Sequence, residues 1–236
     1  MGSDHLVPAS STTAQGYFGA MADSYDSLIR RAIPRYDEMV LRLLEHIRPG
    51  AGEVLELGCG TGNLTLALLG RFTGARVTAV DASPEMTELT RRRAGERGLA
   101  DRLSVVTARF EDLERGVGAF DLVASSMSLH HVREKQPLYR AMARWLRKGG
   151  QLAFADQLAG ATEFGHRAHW ELWERFCREP GNCTEEEIAS LTEHSRAHDH
   201  YVPVAEHFAM MTAAGFDKCD LVWRTGMYSV VTAERA

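Results

Sequence analysis

The stretch Val54-Leu55-Glu56-Leu57-Gly58-Cys59-Gly60-Thr61-Gly62-Asn63 decides the fold. An apolar run feeds directly into glycines at alternate positions, and Leu64 to Leu69 then carries a helical pattern. The chain must turn tightly here and let another group approach its backbone, and glycine tolerates both demands. A lone G-x-G is weak; between a strand and a helix it has the setting that gives it meaning.

On either side the same alternation repeats. Apolar or β-branched runs bounded by Gly, Asp or Ser read as strands over 53–57, 76–81, 103–108, 120–125 and 151–156. Helical stretches fill the gaps over 63–70, 84–97 and 137–146, the last expected to close on Lys148-Gly149-Gly150, a basic turn followed by glycines. Residues 25–47 read as one or two amphipathic helices broken at Pro34. Two more helices are predicted over 163–177 and 184–198, with Thr184 and Glu187 forming a capping box. A helix over 203–214 then precedes strand-like runs at 219–223 and 228–232. The pattern predicts an α/β fold: a Rossmann-like, doubly wound, mostly parallel seven-stranded sheet with a helical N-terminal cap and a C-terminal lid. It divides into a flexible tail (1–15), the cap (16–50), the Rossmann-like core (51–158), the lid (159–202) and a final helix and strands completing the sheet (203–236).

Two acids separate the candidate ligands. Glu56 precedes the first glycine, where it would repel a pyrophosphate but can meet a sulfonium or ammonium cation through water or backbone. Asp81 ends the second strand about 20 residues after the loop, placed to accept hydrogen bonds from two ribose hydroxyls. Together they favour S-adenosylmethionine (SAM) over NAD(P) or FAD.

The string VLELGCGTG, followed by VTAVDASPEM, FDLVASSMSLHHV and LRKGGQLAFADQ, closely resembles the class I SAM-dependent methyltransferases. The resemblance implies that Glu56, Gly58, Gly60 and Asn63 line the methionine and sulfonium end, with Cys59 and Ser126 in the same cofactor set. It implies that Asp81 holds the ribose and that Ala82 and Met86 lie beside the adenine. Many relatives carry an acid after the third strand for the adenine amino group. Here that place reads Ala108-Arg109-Phe110, so the contact becomes backbone bonding there or stacking on Phe110.

The segments YDSLIRRAIPRYDEM and CTEEEIASLTEHSRAHDHYVPVAEHFAMMTAAGF resemble the carboxy-SAM synthase branch. That resemblance implies a cap hydroxyl near the methionine carboxylate, carried over to Tyr25 and more weakly to Tyr17. It also asks for an arginine on the helix before the AGF turn. None occurs between Arg196 and Arg224, and a Met210-Met211 pair cannot neutralise a buried carboxylate, so the cofactor is expected to be ordinary SAM.

Methyl transfer is an in-line displacement, assisted where the acceptor must lose a proton. Ser126, Met127, His130 and His131 follow the fourth strand, at the sheet edge where acceptors bind in open α/β folds. Histidine titrates near neutral pH, which makes His130 and His131 the candidate general bases, with only one of two neighbours able to face a pocket easily. The pairs His166/His169 and His194/His198 each share a helix face, a geometry able to hold a metal, but no H-E-x-x-H pattern accompanies them and no metal is assigned. Trp170, Trp173, Phe176 and Tyr201 read as lid core, of which one or two could floor the pocket of a planar acceptor.

Composition excludes other classes. Apolar residues make up 44% and charged residues 25%, a balance that buries a sizeable core, and the net charge of −5 suits no phosphate backbone. The basic run Arg91-Arg92-Arg93 reads as a solvated helix face. The 4 cysteines form no CxxC pair, and neither a membrane span nor the apolar core of a signal peptide is visible, so a reducing cytoplasm is expected. The expected partners are a small-molecule N or O acceptor and a possible second copy pairing through Val222-Trp223, with no duplex nucleic acid and no membrane. Carboxy-SAM synthesis in tRNA modification and non-catalytic SAM binding are the alternatives.

Overall fold

Val54, Leu55, Glu56 and Leu57 are all buried in β1 (Glu53–Leu57), so both faces of this strand are covered. That is the condition in which parallel sheets form. The computed structural model describes Gly16, residues 24–114, Gly116 and residues 118–236; the expected tail at 1–15 and Tyr17 lie outside the described residues. β1 pairs in parallel with β2 (Arg76–Asp81) and β4 (Phe120–Ser126), and these with β3 (Leu103–Thr107) and β5 (Leu146–Gln157). β7 (Tyr228–Arg235) inserts antiparallel between β5 and β6 (Phe216–Thr225), which completes the order β3-β2-β1-β4-β5-β7-β6 in one 7-stranded sheet. Chain progression reverses between β1 and β4, and an open α/β sheet forms its binding crevice at the carboxyl ends of the strands at such a point.

Helices cover both faces. α1 (Tyr25–Ala32) and α2 (Tyr36–Glu45) break at Pro34, where Arg35 takes φ 58°. α3 (Asn63–Arg71) and α4 (Pro84–Glu96) follow β1 and β2, and α5 (Lys135–Trp145) precedes β5. α6 (Glu163–Cys177), α7 (Glu185–His198) and α8 (Val204–Ala213) separate β5 from β6. Met39, Leu43, Leu68 and Leu69 belong to one core, and Tyr139, Met142, Phe154 and Met211 to the other. Among the described residues, no helix is long and apolar enough to cross a membrane.

The predicted capping box is present: Thr184 and Glu187 exchange hydrogen bonds at the start of α7. Glu187 also takes a forked pair from Arg31 at 2.8 and 2.7 Å, and Trp173 donates to the Ala32 carbonyl at 2.9 Å. These bonds tie the helices of the lid to α1.

Two expectations need correction. Lys148-Gly149-Gly150 does not close α5, which ends at Trp145. The chain is already extended at Leu146, beside Phe120, and shifts register before Gln151 meets Leu122. Gly149, at φ +73°, and Gly150, where a Cβ would lie 2.8 Å from the Arg147 carbonyl oxygen, permit that bulge. Nor is the basic run wholly solvated: Arg93 turns inward to pair with Asp26 at 2.6 Å, leaving Arg91 and Arg92 on the surface.

Candidate active site

The crevice holds a cavity of about 400 Å³, within the range of small-molecule sites. Tyr25, Glu56, Gly58, Cys59, Gly60, Asn63, Asp81, Ala82, Met86, Arg109, Phe110 and Ser126, the described positions expected above to meet the cofactor, all line it. Gly58, Gly60 and Gly62 all have positive φ, at 76°, 51° and 89°. What approaches Gly58 is Ser128, from the turn after β4: a Cβ at position 58 would lie 1.8 Å from its Oγ. At Gly60 a Cβ would meet nothing within 4 Å.

Asp81 shapes the loop from β2. Its Oδ2 accepts from the Gly60 amide at 2.9 Å and its Oδ1 from the Ser83 amide at 2.9 Å. Burial raises its pKa against these bonds. A carboxylate has about four lone-pair directions, more than the Gly60, Ser83 and Ala82 amides use, so acceptor capacity remains for a ligand hydroxyl. Glu56 is fully buried: Thr65 donates to its Oε2 at 2.5 Å, while Oε1 has no hydrogen-bond partner. Burial pushes the pKa of Glu56 up to about 8. The Ser126 Oγ is likewise buried and without a partner. Ala82, Met86, Arg109 and Phe110 line the cavity from the ends of β2 and β3, and Cys59 lines it from the loop.

The N-terminal cap reaches the same space through Tyr25. Its neighbour Asp26, absent from the expected set, accepts from Thr61 at 2.6 Å and Asn63 at 3.0 Å and so holds the cap on the glycine loop. Arg93 completes the clamp by donating to the Thr61 carbonyl at 2.9 Å.

After β4 the backbone takes φ 55° at Met127 and makes a single 3-10 turn over Leu129–His131. The two histidines diverge there. His130 is buried and does not line this cavity; its Nδ1 bonds Asp156 Oδ1, and its amide donates to Asp156 Oδ2 at 3.0 Å. Burial disfavours its cation, but Asp156 and Asp199 outweigh that and the net shift is upward. His131 lines the cavity and donates from Nδ1 to Asp199 Oδ1 at 2.8 Å. Burial and the neighbouring His130 lower its pKa, only partly offset by Asp199. Two adjacent imidazoles are thus biased apart, His130 towards the cation and His131 towards the neutral base. Burial works against ionised Asp199, but His130, His131 and the Tyr201 hydroxyl at 2.6 Å hold it well below the usual carboxylate range.

Neither His166/His169 nor His194/His198 belongs to a group of three close donors among the described residues. Among the described residues, the close donor group is His130, His131 and Asp199, within 4.8 Å of one another, and each is already in a hydrogen bond to a protein partner. His166 instead accepts from Trp170 at 3.3 Å, and His207 meets the Tyr139 hydroxyl at 2.6 Å in the core. Of the lid aromatics, Trp170, Trp173 and Tyr201 line a second cavity and Phe176 does not. Asp156 and Asp199 escaped the sequence reading. A carboxylate on a buried strand marks the first, whereas nothing local marks the second.

Residues 54–150 match the family model described as a methyltransferase domain. Methyltransferase GfsG of Streptomyces halstedii is 36% identical over 127 residues, covering 53% of this chain and 45% of that protein. A sarcosine/dimethylglycine N-methyltransferase of Halorhodospira halochloris is 34% identical over 105 residues, covering 44% of this chain and 37% of that protein. The chain therefore spans less than half the length of these curated relatives. Phosphoethanolamine N-methyltransferase 2 of Haemonchus contortus, solved in complex with S-adenosyl-L-methionine, aligns with a TM-score of 0.66 at 16% identity, covering 88% of this chain and 44% of that one. At such identity the likeness speaks for the fold. Glycine loop, sheet order and family match agree that residues 54–150 form a class I, SAM-dependent methyltransferase domain.

Proposed function

We propose that the chain transfers the methyl group of SAM to an N or O atom of a small molecule. The observation that carries this reading is the orphaned Glu56 Oε1, a buried carboxyl oxygen without a hydrogen-bond partner on a residue that lines a cavity of ligand size. An uncompensated buried acid is costly unless a ligand completes it, and the ammonium and sulfonium of SAM are cations. In this reading Glu56, Gly58, Cys59, Gly60, Asn63 and Tyr25 hold the methionine end, with Ser126 beside them. Asp81 takes the ribose hydroxyls, and Ala82, Met86, Arg109 and Phe110 enclose the adenine. When bound, SAM supplies a methyl group activated by its cationic sulfur. His131 accepts the proton of the acceptor, Asp199 fixes its tautomer and orientation, and the lid excludes water. His130, locked on Asp156, positions the turn.

The first test is to identify by mass spectrometry any nucleoside that co-purifies, and to titrate SAM and S-adenosylhomocysteine by calorimetry. SAM or its demethylated product is expected; carboxy-SAM or no adenosyl ligand would overturn the reading. Asp81→Ala is expected to weaken SAM binding 5- to 150-fold, or about 1–3 kcal/mol, because the ribose and the Gly60 amide lose one acceptor. Unchanged affinity would remove Asp81 from the site.

Glu56 makes binding depend on pH. With its pKa raised to about 8 by burial, it is largely protonated near neutrality, whereas a bound cation favours the carboxylate. Binding therefore releases a proton, and SAM affinity rises with pH up to about 8, by at most about tenfold per unit. Calorimetry at pH 7 in buffers of different ionisation enthalpy reads that proton. Glu56→Gln should abolish the dependence, and a pH-independent wild type would place the ligand cation elsewhere.

A further inference from the structure

Beneath the lid lies the second cavity, of about 80 Å³, which meets the cofactor cavity at Tyr25, Ile29, Met127 and His131. One wall is apolar, with Trp170 and Trp173 of α6 facing Leu28 of α1 and Leu191 of α7. Both indole N–H groups are already engaged, at 3.3 Å to His166 and 2.9 Å to Ala32, so the rings offer only apolar surface. The other wall carries His130, His131, His194 and Asp199.

No lysine or arginine is among the described residues lining this cavity, unlike the cofactor cavity, where Arg109 and Arg133 stand. The charges behind the polar wall are matched within the protein. Asp156 pairs with His130, and Asp199 accepts from His131 at 2.8 Å and Tyr201 at 2.6 Å. Burial pushes His194 down to about 3, so it stays neutral. Lys135 is spent behind the wall on the carbonyls of Val132 and His200, at 2.7 and 2.6 Å.

We propose that this cavity is the acceptor subsite, and that it takes a neutral, ring-sized apolar molecule whose phenolic or enolic hydroxyl lies against His131. The inference rests on the SAM reading above and goes further by naming the acceptor class. A carboxylate or phosphate would find no cation but His130, whose charge Asp156 already matches, and would lie beside the Asp199 carboxylate. An alkylammonium would find Asp199 already engaged, and would have to lose a proton before its nitrogen could attack. A hydroxyl needs one base and apolar walls for its ring. At about 80 Å³ this cavity is smaller than the roughly 150 Å³ that encloses a whole benzene, so the acceptor is limited to a single ring seated partly in the mouth shared with the cofactor cavity.

In the step so defined, the hydroxyl proton passes to Nε2 of His131 and the oxygen forms the new C–O bond to the methyl carbon. The C–S electron pair stays on sulfur. The sulfonium becomes a neutral thioether, and His131 takes up the positive charge.

The test uses the full chain saturated with SAM and compares single-ring phenols, benzoates and benzylamines of matched size, reading release of S-adenosylhomocysteine. Phenols should turn over at least 100-fold faster than either charged series. A parallel calorimetric titration should show that they bind the S-adenosylhomocysteine-loaded protein. Turnover confined to benzoates or benzylamines, or phenols that neither bind nor react, would overturn the inference while leaving SAM binding intact. Failure of SAM itself to bind would instead remove the reading on which it rests. Leu191→Trp, which fills the cavity, should abolish phenol turnover while SAM affinity stays within twofold. Undiminished turnover in that variant would show that the acceptor binds elsewhere.

Discussion

Replacing Gly58 by valine should abolish measurable SAM binding. Two effects add. The residue holds φ +76°, a left-handed conformation that β-branched side chains avoid at a cost of roughly 1–2 kcal/mol. A Cβ there would also stand 1.8 Å from the Ser128 Oγ and 2.4 Å from its Cβ, so either the loop or the turn after β4 must move. Both line the cofactor cavity, and the Gly58 amide is bonded to the Val80 carbonyl at 2.8 Å, which ties any movement to β2. Calorimetry with SAM, alongside a thermal melt, separates lost binding from lost folding. Gly58→Ala with Ser128→Gly clears the clash but keeps the strain, and should recover part of the affinity. A folded Gly58→Val protein with normal affinity would discredit the loop as the cofactor cradle.

His131→Ala should lower turnover by roughly 10²–10⁴ without changing S-adenosylhomocysteine affinity, the magnitude expected for loss of a general base. Asp199→Asn tests the same unit from behind. The amide cannot hold the imidazole as the carboxylate does, so turnover should fall while His131 remains in place. The pH profile supplies an independent readout. Because burial and His130 lower the pKa of His131, turnover at saturating SAM should persist below histidine's usual range and fall only at more acid pH. That acid limb should vanish in His131→Ala. An unaffected rate in His131→Ala would reduce the residue to packing.

The sheet was legible because its signals are local. Strand β1, the glycines and the start of α3 follow one another without interruption, and apolar spacing marks each βα unit through residues that are neighbours in the chain. The place of Asp81 beside the loop was legible for the same reason, since it lies one unit further on and accepts from the Gly60 amide. Lys148-Gly149-Gly150 misled because a glycine pair ends a helix and permits a β-bulge equally well. Only the pairing of Leu146 with Phe120 selects the bulge.

What the amino-acid sequence determined by itself is therefore the doubly wound sheet and the glycine loop at its crevice, since both follow from backbone conformation and short-range periodicity. Tertiary structure alone decided which side chains pair around that loop and the turn after β4. Asp199 reaches His131 across 68 residues, Asp156 reaches His130 across 26, and Arg93 reaches Asp26 across 67. Each joins charged or titratable groups brought out of water by folding. A buried charge needs a partner in space, and no local period specifies which distant residue supplies it.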